Sequence, residues 1–262
     1  MVGSLIKDTL RCAGLLTRLP IADRWFKGFD GRYDLAARAF PLVGAAVGFV
    51  GFAALALSMA LGLPDAFGAV LAVLAMIVLT GALHDDGLAD AADGLAGRSA
   101  ERRIEIMRDS AVGAYGVLAL ILSLCARIVL VATLADASAA HAATAMVAAG
   151  AVSRSAMVWL WHSTLPASAT GAARSAGQPR PEAVGTAIVI ALVSTVPALV
   201  VIGAAQVLVA LLLVAGACGL VRRHAVLRLG GHTGDLLGAT SSLAEIAALA
   251  GFASLAGLAS PY

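Results

Sequence analysis

The chain contains no asparagine, only three cysteines, and little charge: Asp, Glu, Lys and Arg make up 13% of its 262 residues. Each shortage removes a class of protein. Cys12, Cys125 and Cys218 stand far apart, without the paired spacing of a zinc or dithiol site, and read as reduced packing residues. Without asparagine there is no Asn-Asp-x-x-Asp motif of the kind an intramembrane prenyltransferase carries twice. No internal repeat of the transporter type is visible either, and ionisable residues at mid-depth in the apolar segments are few. The net charge of +2 says little as a total, and no nucleic-acid partner is expected.

What is present in excess is apolar surface. Hydrophobic residues reach 60% and the mean hydropathy is +0.93, well above the roughly 45–50% apolar content of a soluble domain, so the surplus must face lipid. A helix needs about 20 apolar residues to cross the hydrocarbon, and seven runs qualify: 41–63, 66–83, 111–135, 139–161, 183–203, 205–221 and 236–258. The fifth and sixth are divided only around Gly203 to Gln206, but one 39-residue helix would be roughly 58 Å long, so a tight hairpin fits better. The expectation is an all-α, polytopic integral membrane protein forming one domain over 1–262. No N-terminal signal peptide is visible, because Lys7, Arg11, Arg18, Pro20 and Arg24 interrupt the start. Residues 5–20 read instead as an interfacial amphipathic helix with Leu5, Ile6 and Leu10 toward lipid.

The loop cations alternate completely. Seven fall in 1–38, four in 84–110, two in 162–182 and three in 222–235, with none in the intervening turns; Arg127 and Arg154 lie inside spans. The positive-inside rule places that charged side, and the N-terminus, in the cytoplasm. The dense polar motifs share the same side, so a one-sided, cytoplasm-facing Asp-rich site is expected.

Four of the sixteen acids fall within the stretch HDDGLADAADGL at 84–95. If the helix of 66–83 runs on past the membrane edge, Asp86, Asp90 and Asp93 stand at i, i+4 and i+7 on one face. Carboxylates that close repel by roughly 3–4 kcal/mol per pair at an effective dielectric near 20, a cost that a bound cation would offset. All-oxygen ligands suit Mg²⁺, Mn²⁺ or Ca²⁺. Gly87 and Gly94 would let a bulky ligand approach, and His84 is a candidate base or ligand. A solvated helix end is the plain alternative. Downstream, Arg102, Arg103 and Arg108 suit phosphate contact and Asp109 could reach the metal shell, although positive-inside flanking explains the arginines equally well. In LGGHTGDLLGA at 229–239, Gly231 and Thr233 are candidate anion contacts and Asp235 a further carboxylate. Arg127, Arg154 and Glu245 should pair or line the site.

Five stretches carry a resemblance: LLTRLP (15–20), FPLVGAAVG (40–48), TGALHDDGLADAADGL (80–95), RRIEIMRDSAVGAYGVLAL (102–120) and GGHTGDLLGA (230–239). In this order they resemble the cobalamin synthase, or adenosylcobinamide-GDP ribazoletransferase, family over nearly the whole chain. The resemblance implies transfer of the adenosylcobinamide-phosphate moiety of adenosylcobinamide-GDP onto α-ribazole or α-ribazole 5′-phosphate, releasing GMP, with Mg²⁺ as cofactor. It implies a metal set drawn from Asp85, Asp86, Asp90, Asp93 and Asp235. Phosphate contacts would come from Arg102, Arg103, Arg108, Gly231 and Thr233, and acid–base candidates are His84, Asp93 and Asp109. The family pattern more often has glutamate where Asp85 stands, so Asp85 is the weaker match beside Asp86. The 162–182 loop matches nothing, and a homo-oligomer is left open.

Two rival readings fit less well. A CDP-alcohol phosphotransferase would follow its first Asp-Gly with an Ala-Arg pair, whereas here Asp86-Gly87 precedes Leu88-Ala89-Asp90. A divalent-cation transporter would need acids at mid-membrane, where only Glu245 lies. The site model requires 84–110 and 229–239 to meet on one face.

Overall fold

The computed structural model describes residues 2–168 and 172–254. Among these, twelve α-helices carry the fold, and β-structure is limited to one isolated bridge between Pro166 and His232. The helices are α1 (Val2–Leu16), α2 (Phe40–Ala60), α3 (Asp65–Thr80), α4 (Leu83–Asp93), α5 (Ala100–Met107), α6 (Ala114–Ala137), α7 (Ala139–Ser163), the single turn α8 (Ala172–Ser175), α9 (Pro181–Ser194), α10 (Val196–Val201), α11 (Ala204–His224) and α12 (Gly234–Ala253). The chain is an all-α, polytopic membrane protein. Six helical segments are long and apolar enough to cross a bilayer, and the bent pair α3–α4 brings the number to seven. The hairpin expected near residue 204 is present: Gly203, at φ +124°, separates α9–α10 from α11. The last expected span, 236–258, is seen to Ala253, and 255–258 lie outside the described residues.

The packing is built from small residues inside and large apolar residues outside. Helix α7 is alanine-rich and buried along most of its length, and α12 buries a similar run from Leu236 to Phe252. The outward residues are large: Leu122 is 68% exposed, Leu220 72% and Val200 80%, a distribution that water would not tolerate but lipid does. Between lipid-bathed helices association comes from close van der Waals packing rather than from the hydrophobic effect, so small residues mark the contacts. Helices α2 and α7 approach until a Cβ on Gly44 would overlap the Gly150 carbonyl and one on Gly48 the Met146 carbonyl. Gly44→Ala should therefore cost about 1–3 kcal/mol by overpacking. Gly216→Ala on α11, with nothing within 4 Å of the added carbon, should be neutral or stabilising. Thermal unfolding of the two variants in one detergent checks the contrast.

One expectation is corrected. The helix of 66–83 does not run on to carry the acids: it stops at Thr80, Gly81 and Ala82 both adopt left-handed backbone (φ +63° and +58°), and α4 leaves at 89°. Left-handed backbone costs a non-glycine residue about 1–2 kcal/mol, and the N-terminal segment holds it in place. The Arg18 N–H donates to the Leu79 carbonyl at 2.8 Å, and the Arg18 side chain lies where a Cβ on Gly81 would stand. The LLTRLP stretch thus closes the orphaned end of α3.

Helix α1 is amphipathic, but its inward stripe is Asp8, Cys12 and Leu16, with Asp8 bonded to Arg38 at 2.7 Å. Of the three residues expected outward, Ile6 is exposed, Leu10 half-buried, and Leu5 packs inward against the Cys12–Leu16 cluster. The 162–182 loop, silent in sequence, is firmly anchored where described. Trp161 Nε1 donates to the Gly177 carbonyl at 3.0 Å, Gln178 N–H to Asp34 Oδ1 at 2.9 Å, and Leu165 and Ala167 exchange hydrogen bonds with His232 at 2.8 Å each.

Candidate active site

Helix α4 lies across the polar end of the bundle and packs on α12 and α6. Gly87 decides how closely: a Cβ there would stand 2.7 Å from the Asp235 carbonyl oxygen and 3.2 Å from Gly238 Cα. The first turn of α12 is thereby pressed against α4, and 84–95 meets 229–239 on one face, as the site model requires. Gly87 and Gly94 are both buried against protein, Gly94 beneath Met107, so they serve helix contact rather than ligand access, contrary to the sequence expectation.

The i, i+4, i+7 spacing of the acids survives within α4, but the environments differ sharply. Asp86 is exposed and Asp90 half-buried. Asp86, Asp90 and Asp93 stand one turn apart on α4, which packs against the first turn of α12, where Asp235 lies. These acids therefore crowd one another. Asp93 is buried and occupied: its Oδ2 accepts the Gly113 N–H at 2.7 Å and its Oδ1 the Gly116 N–H at 2.8 Å. It closes the N-terminus of α6, where unsatisfied N–H groups and the helix dipole favour a carboxylate. Asp85 is 7% exposed and bonded to Arg127. Neither Asp85 nor Asp93 is free to lead a metal site. Among the described residues no three His, Cys, Asp or Glu side chains form a ready cage for a metal ion.

Behind α4 lies a buried ion network. Arg127 of α6 bonds Asp85 and reaches Glu245 of α12 at 4.0 Å, while Glu245 bonds Arg154 of α7, which also donates to Ser153 Oγ at 2.8 Å. All four charged side chains are under a tenth exposed, and two positive charges meet two negative ones. His84 sits beside them, 4% exposed, with no hydrogen-bond partner on either ring nitrogen. Facing inward, it is removed from the surface where a base for an open site would stand.

The remaining candidates divide. Arg108 is exposed, donates to Ser168 Oγ at 3.3 Å, and lies near enough to Asp235 to attract its charge. Arg102 is exposed and paired with Glu105 at 2.7 Å. Arg103 is half-buried, packed beneath Gly97, and its charge is felt by His224 at the end of α11. Asp109 is exposed and accepts the Ala111 N–H at 3.0 Å. Thr233 caps α12, its hydroxyl accepting the Leu236 N–H at 3.2 Å, and Gly231 is pressed against the Leu165 carbonyl. Both shape the turn that presents Asp235. His232 within that turn is fully buried, bonded to Thr164 at 3.0 Å, and burial holds its ring below the ordinary histidine range.

A family profile described as cobalamin-5-phosphate synthase matches residues 8–253. The chain belongs to this family. Curated relatives named adenosylcobinamide-GDP ribazoletransferase share its length as well as its sequence. The protein of Allorhizobium ampelinum is 40% identical over 249 residues, 94% of this chain and 96% of its own. That of Rhizobium etli strain CIAT 652 is 44% identical over 247 residues, 92% and 94%, and that of Brucella anthropi 41% over 251 residues, 95% and 96%. No solved structure matches the chain. The five stretches that resemble the cobalamin synthase family are accordingly not scattered in space: the first seals the end of α3, the second packs α2 on α7, and the other three form the α4, α5–α6 and α12 parts of one polar surface.

Proposed function

We propose that the chain transfers the adenosylcobinamide-phosphate moiety of adenosylcobinamide-GDP onto α-ribazole or its 5′-phosphate, releasing GMP, at a Mg²⁺-dependent site facing the cytoplasm of the inner membrane. The observation that carries this reading is the meeting of Asp86 and Asp90 with Asp235 where α4 crosses α12. Mg²⁺ is ordinarily held by one or two carboxylates together with substrate phosphates rather than by an all-protein cage, so an open, crowded pair of acids fits it even without a third ready ligand. Asp86 and Asp90 would hold the ion, with Asp235 at its edge. Bound there, it would supply charge neutralisation on a diphosphate.

The chain's own groups do the rest. Arg108, exposed and near enough to Asp235 to attract its charge, would bind a phosphate oxygen. Because the 5′-phosphate acceptor yields a product that keeps its 5′-phosphate, the attacking atom is a ribose hydroxyl with either acceptor. Its oxygen bonds to the phosphorus bearing the cobinamide, the bridging P–O bond breaks, the electron pair leaves with GMP, and the hydroxyl proton needs an acceptor. Of the three acid–base candidates, His84 is buried and Asp93 holds two N–H groups, so Asp109, which is exposed, is the one that would take it.

The test is GMP release by the purified chain in detergent or liposomes given adenosylcobinamide-GDP and α-ribazole. Activity should vanish with EDTA and return with Mg²⁺. Persistence in EDTA would overturn the metal, and absence of GMP under all conditions would overturn the reaction.

A further inference from the structure

Beside the acids, one turn beyond Asp90, a cavity of about 250 Å³ opens between α4, α5 and the start of α6, and the mechanism above does not use most of its walls. Its walls mix apolar and polar groups: Ala96, Ile106 and Ala114 stand with Arg102, Glu105, Asp109 and Tyr115. We infer that this cavity takes the guanine base of the nucleotide half of the donor substrate, with Glu105 as the residue that distinguishes guanine from other purines; the inference rests on the reaction proposed above.

Size comes first. Pockets for whole drug-sized ligands run to roughly 300–1,000 Å³, so this one fits a single flat ring system and excludes a corrinoid macrocycle. Chemistry narrows it further. Guanine presents two adjacent donors, N1–H and the 2-amino group, and an acceptor at O6; adenine offers one donor beside an acceptor. A carboxylate accepts from both guanine donors at once, and an arginine donates to O6. The rim holds that pair already assembled: Arg102 bonds Glu105 Oε2 at 2.7 Å, one helical turn apart on α5. Tyr115 is 56% exposed at the mouth, where an aromatic face can stack on a base. The ribazole base, whose ring nitrogens carry no hydrogen, would leave the carboxylates unmatched. The wall between this cavity and the acids is fixed by the bonds from Asp93 to the Gly113 and Gly116 N–H groups, so a base seated here would direct its phosphates toward Asp90 and Asp86.

The experiment measures inhibition of turnover by GMP, IMP and AMP, using the full chain in detergent as wild type, Glu105→Gln and Tyr115→Ala. All three nucleotides carry the same phosphate and ribose; IMP lacks only the 2-amino group. Wild type should bind GMP at least about tenfold more tightly than IMP or AMP. Glu105→Gln should reduce that preference to near unity, and Tyr115→Ala should weaken GMP and IMP alike. Both side chains are exposed, so neither change should unfold the protein. An active wild type whose GMP-to-IMP ratio is unmoved by Glu105→Gln overturns the base site and leaves the reaction standing. If wild type shows no turnover, direct binding of GDP and IDP decides: Glu105-dependent selectivity for GDP keeps the base site while the reaction falls, and no selectivity overturns both.

Discussion

Asp86→Asn and Asp90→Asn should each lower turnover of adenosylcobinamide-GDP by about 10²–10³-fold, the range seen when one preorganised group facing developing charge is removed. Neither should unfold the protein. Asp86 and Asp90 stand one turn apart on α4 against the turn of α12 that carries Asp235, so without metal these carboxylates repel one another, and deleting a charge relieves the strain. Both variants should therefore melt at or above the wild-type temperature in EDTA while losing activity in Mg²⁺, a pattern in which a functional site is less stable than its substitutes. Asp93→Asn provides the opposite signature. Its amide has a single acceptor oxygen where the carboxylate serves both Gly113 and Gly116, so the start of α6 loses a bond and thermal stability falls. Measuring melting temperature and GMP release on the same samples separates the two kinds of acid. Wild-type activity in Asp86→Asn and Asp90→Asn together would remove the metal cradle from α4.

The span positions were legible because hydropathy and loop charge act locally: an apolar run faces lipid whatever lies across the bilayer, and the 39-residue run of 183–221, roughly 58 Å as one helix, has to fold into the hairpin at Gly203. What sequence hid depends on partners distant along the chain. Ala82 carries no mark of left-handed backbone; its conformation follows from Arg18, more than sixty residues earlier, lying over Gly81. The same holds for the site. Asp85 and Asp86 are adjacent and chemically identical, yet one faces Arg127 across the bundle and the other faces outward, because consecutive residues on a helix project about 100° apart and the packing of α4 decides which way each looks. The cue was available in part: Arg127 inside an apolar span demanded a counter-charge, and Asp85 was the acid whose match to the family pattern was poorest. Tyr115 and Glu105 gave no such cue, since only the folding of α5 against α6 makes them neighbours.

Arg154→Ala or Glu245→Ala should destabilise the protein by about 3–5 kcal/mol, the cost of leaving one partner of a buried pair uncompensated. The network is neutral only when complete: Arg127 and Arg154 balance Asp85 and Glu245, and the 4.0 Å approach of Arg127 to Glu245 links the two pairs into one unit. Removing either arginine leaves a net negative charge among α4, α6, α7 and α12, with no water-facing route for it. The double change Arg154→Met with Glu245→Leu removes charge in equal and opposite amounts, keeps the Asp85–Arg127 pair, and should recover most of the loss. Thermal unfolding in detergent measures the difference, and a double variant as unstable as the worse single one would mean that the ions act through packing rather than charge. The network also sets where α4 lies, through Asp85, one residue from Asp86. The single variants should thus lose GMP release in proportion to their folded fraction, whereas Arg127→Met, which frees Asp85, should depress activity even in the molecules that remain folded. That separation, read by normalising GMP release to the folded fraction, distinguishes an element that positions the acids from one that merely holds four helices together.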